Sequence, residues 1–135
     1  MKITIEATIN ATPEKVWSAW TTPNHITKWN YATDDWQCPH ASNDLKVGGK
    51  YCARMEAKDA SMGFDFVAIY DEVEALKKLA YTMEDGRKVE TVFVPSSEVV
   101  TVTTVFDAEN ENSVEMQKQG WQSILNNFKK YVESI

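Results

Sequence analysis

The chain has 135 residues, 43% of them apolar and 25% charged, and its 14 basic and 20 acidic side chains leave a formal charge of −6. That length suits one domain, residues 1–135, burying about two-thirds of the surface its unfolded chain exposes, so disordered and fibrous classes are excluded. The acidic balance argues against nucleic acid as a partner, because phosphate binding needs a basic surface. No stretch reaches the ~20 apolar residues of a membrane span. The start, Met1–Glu6, alternates like a strand and lacks the apolar core of an export signal, so a cytoplasmic chain with Cys38 and Cys52 as free thiols is expected.

In chain order, Ile3, Ile5, Ala7 and Ile9 share one face of a half-buried strand over residues 2–9. Thr12-Pro13 is a capping hydroxyl followed by a proline at the first helical position, and Val16, Trp17, Ala19 and Trp20 give that helix its buried stripe. Thr22-Pro23 repeats the signal, with Ile26 and Trp29 spaced i, i+3 on a second short helix. Residues 30–47 read as loop, and Gly48-Gly49 as a turn that launches a series of strands.

In that series Tyr51, Ala53, Met55 and Ala57 alternate with polar neighbours, as do Phe64, Phe66, Ala68 and Tyr70 after a turn at Lys58–Met62. Leu79, Tyr81 and Met83 form the next strand, and Asp85-Gly86 is a hairpin signal. Residues 88–94 and 98–106, divided by Pro95-Ser96-Ser97, are rich in Val and Thr, and their inward register cannot be assigned from pattern. A long final helix starts at a capping-box-like Asn112 and Glu115 and buries Val114, Gln117, Trp121, Ile124, Leu125, Phe128 and Val132.

The order is strand, two short helices, about six strands and one long helix, an α+β architecture. An antiparallel sheet of that size twists into a concave surface, and a straight helix about 10 Å across cannot fill such a trough. The bulky inward set is Tyr51, Met55, Phe64, Phe66, Tyr81 and Met83, joined from the helix by Trp121, Ile124 and Leu125. It is either an ordinary core or the wall of an apolar ligand pocket. Trp29 and Trp36 flank the loop and either close the end of the sheet or contact a ligand. Gly120 is costly inside a helix, which implies either a close approach or room left beside Trp121.

The chain resembles the bacterial relatives of the activator of the heat-shock protein 90 ATPase, within the START-like, Bet v 1-like superfamily. The matching segments are Ile9–Trp17, Lys28-Trp29, Asp44–Gly49, Met55-Glu56-Ala57, Leu79–Thr82 and Gly120-Trp121, in order over nearly the whole length. It departs at Ala68, where many relatives carry glycine, and at Glu74-Ala75-Leu76, where many carry a proline-bearing turn. The resemblance implies a helix-grip fold: a curved antiparallel sheet around the C-terminal helix, closed at one end by the two short helices. The superfamily includes carriers, cyclases and co-chaperone domains, so membership alone does not fix function.

Candidate chemistry is sparse. Cys38-Pro39-His40 lacks the further ligands that zinc takes, and no metal, cofactor or catalytic residue is assigned. Asp34-Asp35, and Glu56 with Asp65, read as solvated carboxylates. The inward registers hold tyrosines but no Asp, Glu, His or Lys, which argues against acid–base catalysis. The expected function is binding of a lipid, polyketide or other small hydrophobic or aromatic ligand by a monomer or weak dimer. The alternatives are a cyclase- or hydrolase-type enzyme using the same cavity, and a co-chaperone-like module with a chaperone partner.

Overall fold

In the computed structural model, which describes residues 1–135, Ile3, Ile5 and Ile9 are all buried on one side of β1 (Lys2–Ile9), as period-two spacing requires. At the start of α1 (Pro13–Thr21) the Thr12 hydroxyl accepts the Lys15 N–H at 3.2 Å. A single turn, α2 (Pro23–Ile26), follows, and it ends before Trp29. Trp29 therefore does not share a helix with Ile26 as expected. It sits in the next turn, fixed there because its indole N–H donates to the Ala19 carbonyl at 2.9 Å.

The segment expected to be loop holds two short strands, β2 (Trp36–Gln37) and β3 (Ala41–Asn43), both paired with β4 (Lys50–Ala57). Strands of two and three residues are too short for alternation to betray them. The turn before β4 depends on Gly49, where a Cβ would lie 2.0 Å from the Asp44 carbonyl oxygen. The remaining strands are β5 (Gly63–Glu74), β6 (Lys78–Met83), β7 (Lys88–Ser96) and β8 (Val99–Asp107). All pairings are antiparallel, in the order β1-β8-β7-β6-β5-β4-β2, with β3 also on β4.

Strand β5 carries an irregularity, and one expectation about β7 needs correction. In β5 the register shifts between Tyr70 and Glu72, so Asp71 is an extra residue, and burial moves from even positions such as Ala68 and Tyr70 to odd Val73. Strand β7 does not stop before Pro95 but continues to Ser96, with Pro95 opposite Val100. Proline is tolerated there because β6 pairs β7 only as far as Val92, leaving one side of Pro95 without a ladder. The registers left open are now assigned: Val89, Thr91 and Phe93 of β7 and Val100, Val102, Thr104 and Phe106 of β8 are buried.

The final helix, α3 (Val114–Ser134), is capped by Ser113, whose hydroxyl accepts the Met116 N–H at 3.1 Å, and not by Asn112. Asn112 is one residue too early, its own N–H bonded to Glu109, and Val114 is exposed where burial was expected. Leu125, Phe128 and Val132 are buried in the core with Ile9, Val16 and Phe106. Of the strands, α3 approaches β1 most closely.

Side chains of α3 satisfy the free main-chain groups of that edge strand. The Gln122 amide accepts the Glu6 N–H at 3.3 Å and donates to the Glu6 carbonyl at 3.1 Å. Lys129 donates to the Thr8 carbonyl, and Glu133 accepts the Asn10 N–H at 2.8 Å. The helix is thereby tied to one side of the trough. No helix is long and apolar enough to cross a membrane.

Candidate functional site

With α3 anchored at the β1 side, the space under its other side is not filled. A cavity of about 240 Å³ lies there, and 13 of its 17 lining residues are apolar or aromatic. The sheet contributes Tyr51 and Met55 from β4, Phe64, Phe66 and Tyr70 from β5, and Tyr81 and Met83 from β6. Thr91, Thr104 and Ile5 lie on the neighbouring strands β7, β8 and β1, and Trp121, Ile124 and Leu125 belong to α3. Trp20, Trp29 and Asn30 line it from the short helices and the turn after them. Trp20, Trp29 and Phe128 form an aromatic cluster there, with ring centroids 4.8 to 5.1 Å apart.

The rings of the cavity wall orient one another. Tyr51 and Tyr81 stack with centroids 5.8 Å apart and planes within 9°, and Phe66 meets both edge-on at 6.0 Å. Few polar groups interrupt this lining. The Asn30 amide donates to the Tyr51 hydroxyl at 3.2 Å, and the Tyr70 hydroxyl donates to Asn43 Oδ1 at 2.8 Å. Thr91 and Thr104 satisfy each other at 2.9 Å. Burial pushes the Tyr70 hydroxyl up to about 12, and raises Tyr51 and Tyr81 well above the usual tyrosine value. All three are therefore neutral at physiological pH.

The family is decided by a match that runs from the start of α1 into the last turn of α3. A family model described as "Activator of Hsp90 ATPase homolog 1-like protein" matches residues 10–133. The chain belongs to this family. Within it the fold is close to that of an AHSA1-like protein from Aeromonas hydrophila, with 46% identity, 99% of this chain and 93% of that chain covered, and a TM-score of 0.93. A protein from Cytophaga hutchinsonii is 47% identical over 98% of this chain and 92% of its own, at a TM-score of 0.85. One from Chromobacterium violaceum, at 23% identity, 98% coverage of both chains and a TM-score of 0.87, shows likeness of fold. A search of curated proteins returned no match. The helix-grip architecture expected from the sequence is the architecture of this AHSA1-type chain.

Of the twelve residues singled out in the sequence, the fold brings Trp29, Tyr51, Met55, Phe64, Phe66, Tyr81, Met83, Trp121, Ile124 and Leu125 to the cavity. Phe64 is 48% exposed, so it marks an open margin and not an interior wall. Trp36 does not line the space: it lies in β2 at the sheet edge, its ring 6.2 Å from that of Phe64. Gly120 does not line it either, and a Cβ added there would meet nothing within 4 Å, so a close approach does not account for this glycine.

Sequence reasoning passed over Asn30, Arg87, Thr91 and Thr104, the four polar lining residues. Asn30 falls where the sequence reads as loop, Arg87 follows a turn signal, and the two threonines belong to strands whose register the pattern does not assign. The other candidate groups lie elsewhere. Glu56 and Asp65 flank Arg54, at 3.1 and 3.5 Å, and none of the three lines the cavity. The Cys38 thiol, pushed up to about 11 chiefly by burial, faces the His40 carbonyl at 3.6 Å. No three His, Cys, Asp or Glu side chains converge as metal ligands.

Proposed function

We propose that this AHSA1-type chain is a small-molecule binding protein that houses a compact, largely apolar guest between α3 and the curved sheet. The observation that carries the reading is the aromatic cavity of about 240 Å³ with its few, mostly satisfied polar groups. An engineered apolar cavity of about 150 Å³ is known to admit benzene, so this volume suits a substituted ring better than a long acyl chain. The lining supplies ring faces and edges for stacking, and hydroxyls for one or two hydrogen bonds.

A cyclase- or hydrolase-type enzyme would use the same cavity. Its strongest support is the set Tyr51, Tyr70 and Tyr81, which lines the space and whose hydroxyls would position a substrate. The co-chaperone-like alternative, suggested by the family's description, calls for an exposed apolar patch. The most exposed apolar side chains after Met1, which are Val47, Met62, Met116 and Val94, lie on separate segments. Untargeted mass spectrometry of small molecules released from the purified protein tests the proposal. One stoichiometric apolar compound, displaced in Tyr81→Trp, supports it. An empty protein that also binds no ring-sized probe refutes it.

A further inference from the structure

Arg87 is the only charged residue that lines the cavity. It follows Gly86, whose φ of +91° allows the β6–β7 reversal, and its carbonyl accepts the Met83 N–H at 2.8 Å. Its side chain is 24% exposed. Asp85 grips it twice: Oδ2 accepts Nε–H at 2.7 Å, and Oδ1 accepts the Arg87 main-chain N–H at 3.1 Å. A guanidinium carries five N–H donors in a planar fork. Asp85 takes the Nε donor and fixes the plane, while the two Nη groups have no protein partner.

An arginine needed only for solubility would extend into water. Here it borders an apolar space whose polar lining is otherwise neutral. A carboxylate entering that space loses hydration, which is costly unless charge-assisted hydrogen bonds replace it. The planar Nη edge is the group suited to supply them.

We propose that Arg87 is the anion anchor of the cavity, and that the ligand is a compact aromatic or alicyclic carboxylic acid. Its ring packs among Tyr51, Phe66, Tyr81 and Trp121, and its carboxylate accepts from the Arg87 Nη groups. This deepens the binding-protein reading and rests on it. Asp85 acts as a positioning residue, presenting the fork without filling it.

The test compares 2-naphthoate with its neutral near-isostere 2-naphthamide by titration calorimetry on the full chain. The wild type is expected to prefer the naphthoate by about tenfold or more, as suits a paired charge-assisted hydrogen bond. Arg87→Gln, shown to be folded by its urea unfolding curve, should lose the naphthoate preference, since the unpaired carboxylate then pays its desolvation. Arg87→Lys, which keeps the charge but not the fork, should retain only part of the preference. Equal wild-type binding of both probes, or an undiminished naphthoate preference in Arg87→Gln, overturns the anchor and leaves the cavity reading standing. Failure of both probes to bind overturns both.

Discussion

Trp121 of α3 stacks on Phe106 of β8, with ring centroids 3.9 Å apart and planes within 10°. Phe106 is fully buried, whereas Trp121 is half-buried and borders the cavity. The pair acts as a spacer one ring thick between helix and sheet beside the empty volume. On the next residue, Gln122 bonds to the edge of β1. Neighbouring positions on one helix thus hold α3 against the sheet margin and keep it off the sheet centre.

Trp121→Ala removes that spacer and its stacking. Full Trp-to-Ala truncation in a core costs about 3–5 kcal/mol, so a loss of about 2–3 kcal/mol is expected at this half-buried site. Urea unfolding measures it. A loss below about 0.5 kcal/mol would mean that the stack does not hold the helix.

Gln122→Ala should cost about 0.5–1.5 kcal/mol, the usual net worth of hydrogen bonds with partial water access. The sharper readout is local: hydrogen exchange at the Glu6 amide should accelerate more than exchange at core amides such as Val102. Equal acceleration everywhere would indicate global destabilisation without an edge-capping role.

Two glycines should respond to alanine with opposite sign. Gly120→Ala should stabilise by about 0.5–1 kcal/mol, because the added methyl meets nothing within 4 Å and alanine is the better helix former. Gly49→Ala should destabilise by more than about 2 kcal/mol, because its Cβ would collide with main-chain oxygen at 2.0 Å and not with a side chain free to swing away. Thermal melts of the two variants check both signs.

Alkaline pH should unfold the protein through its buried hydroxyls. Tyr51, Tyr70 and Tyr81 hold their protons more tightly folded than unfolded, Tyr70 up to about 12. Their contribution is intact below the unfolded tyrosine value of about 10 and is lost as pH rises through the folded values. Cys38, up to about 11 against an unfolded thiol near 8.5, acts in the same direction from slightly lower pH. Urea midpoints should fall from about pH 9 upward, with tyrosinate absorbance of these rings appearing only on unfolding. Midpoints unchanged to pH 12 would contradict this.

Much of the fold was legible because single residues carried unambiguous signals. Thr12-Pro13 opened α1, Asp85-Gly86 turned the hairpin, and Tyr51, Ala53, Met55 and Ala57 alternated without fault. The registers of β7 and β8 were not legible because Thr91 and Thr104 point inward and satisfy each other, which hydropathy counts as outward. Ten of twelve candidate residues reached the cavity because the wall of a trough and the core of a sheet share one inward register. Trp36 and Gly120 missed it because their placement depended on the edge strand and on helix rotation, both set by tertiary contacts. Arg87 went unread because its neighbours, Asp85 and Gly86, spelled only a turn.

The central claim is that ring-sized space persists between α3 and the sheet. A crystal structure of the protein soaked with iodobenzene tests it most directly, because iodine is located by anomalous scattering independently of the surrounding side chains. The account predicts one strong iodine peak bounded by Tyr81, Trp121 and Leu125. A well-ordered structure without that peak, in which these side chains close on one another and leave no volume, would contradict it.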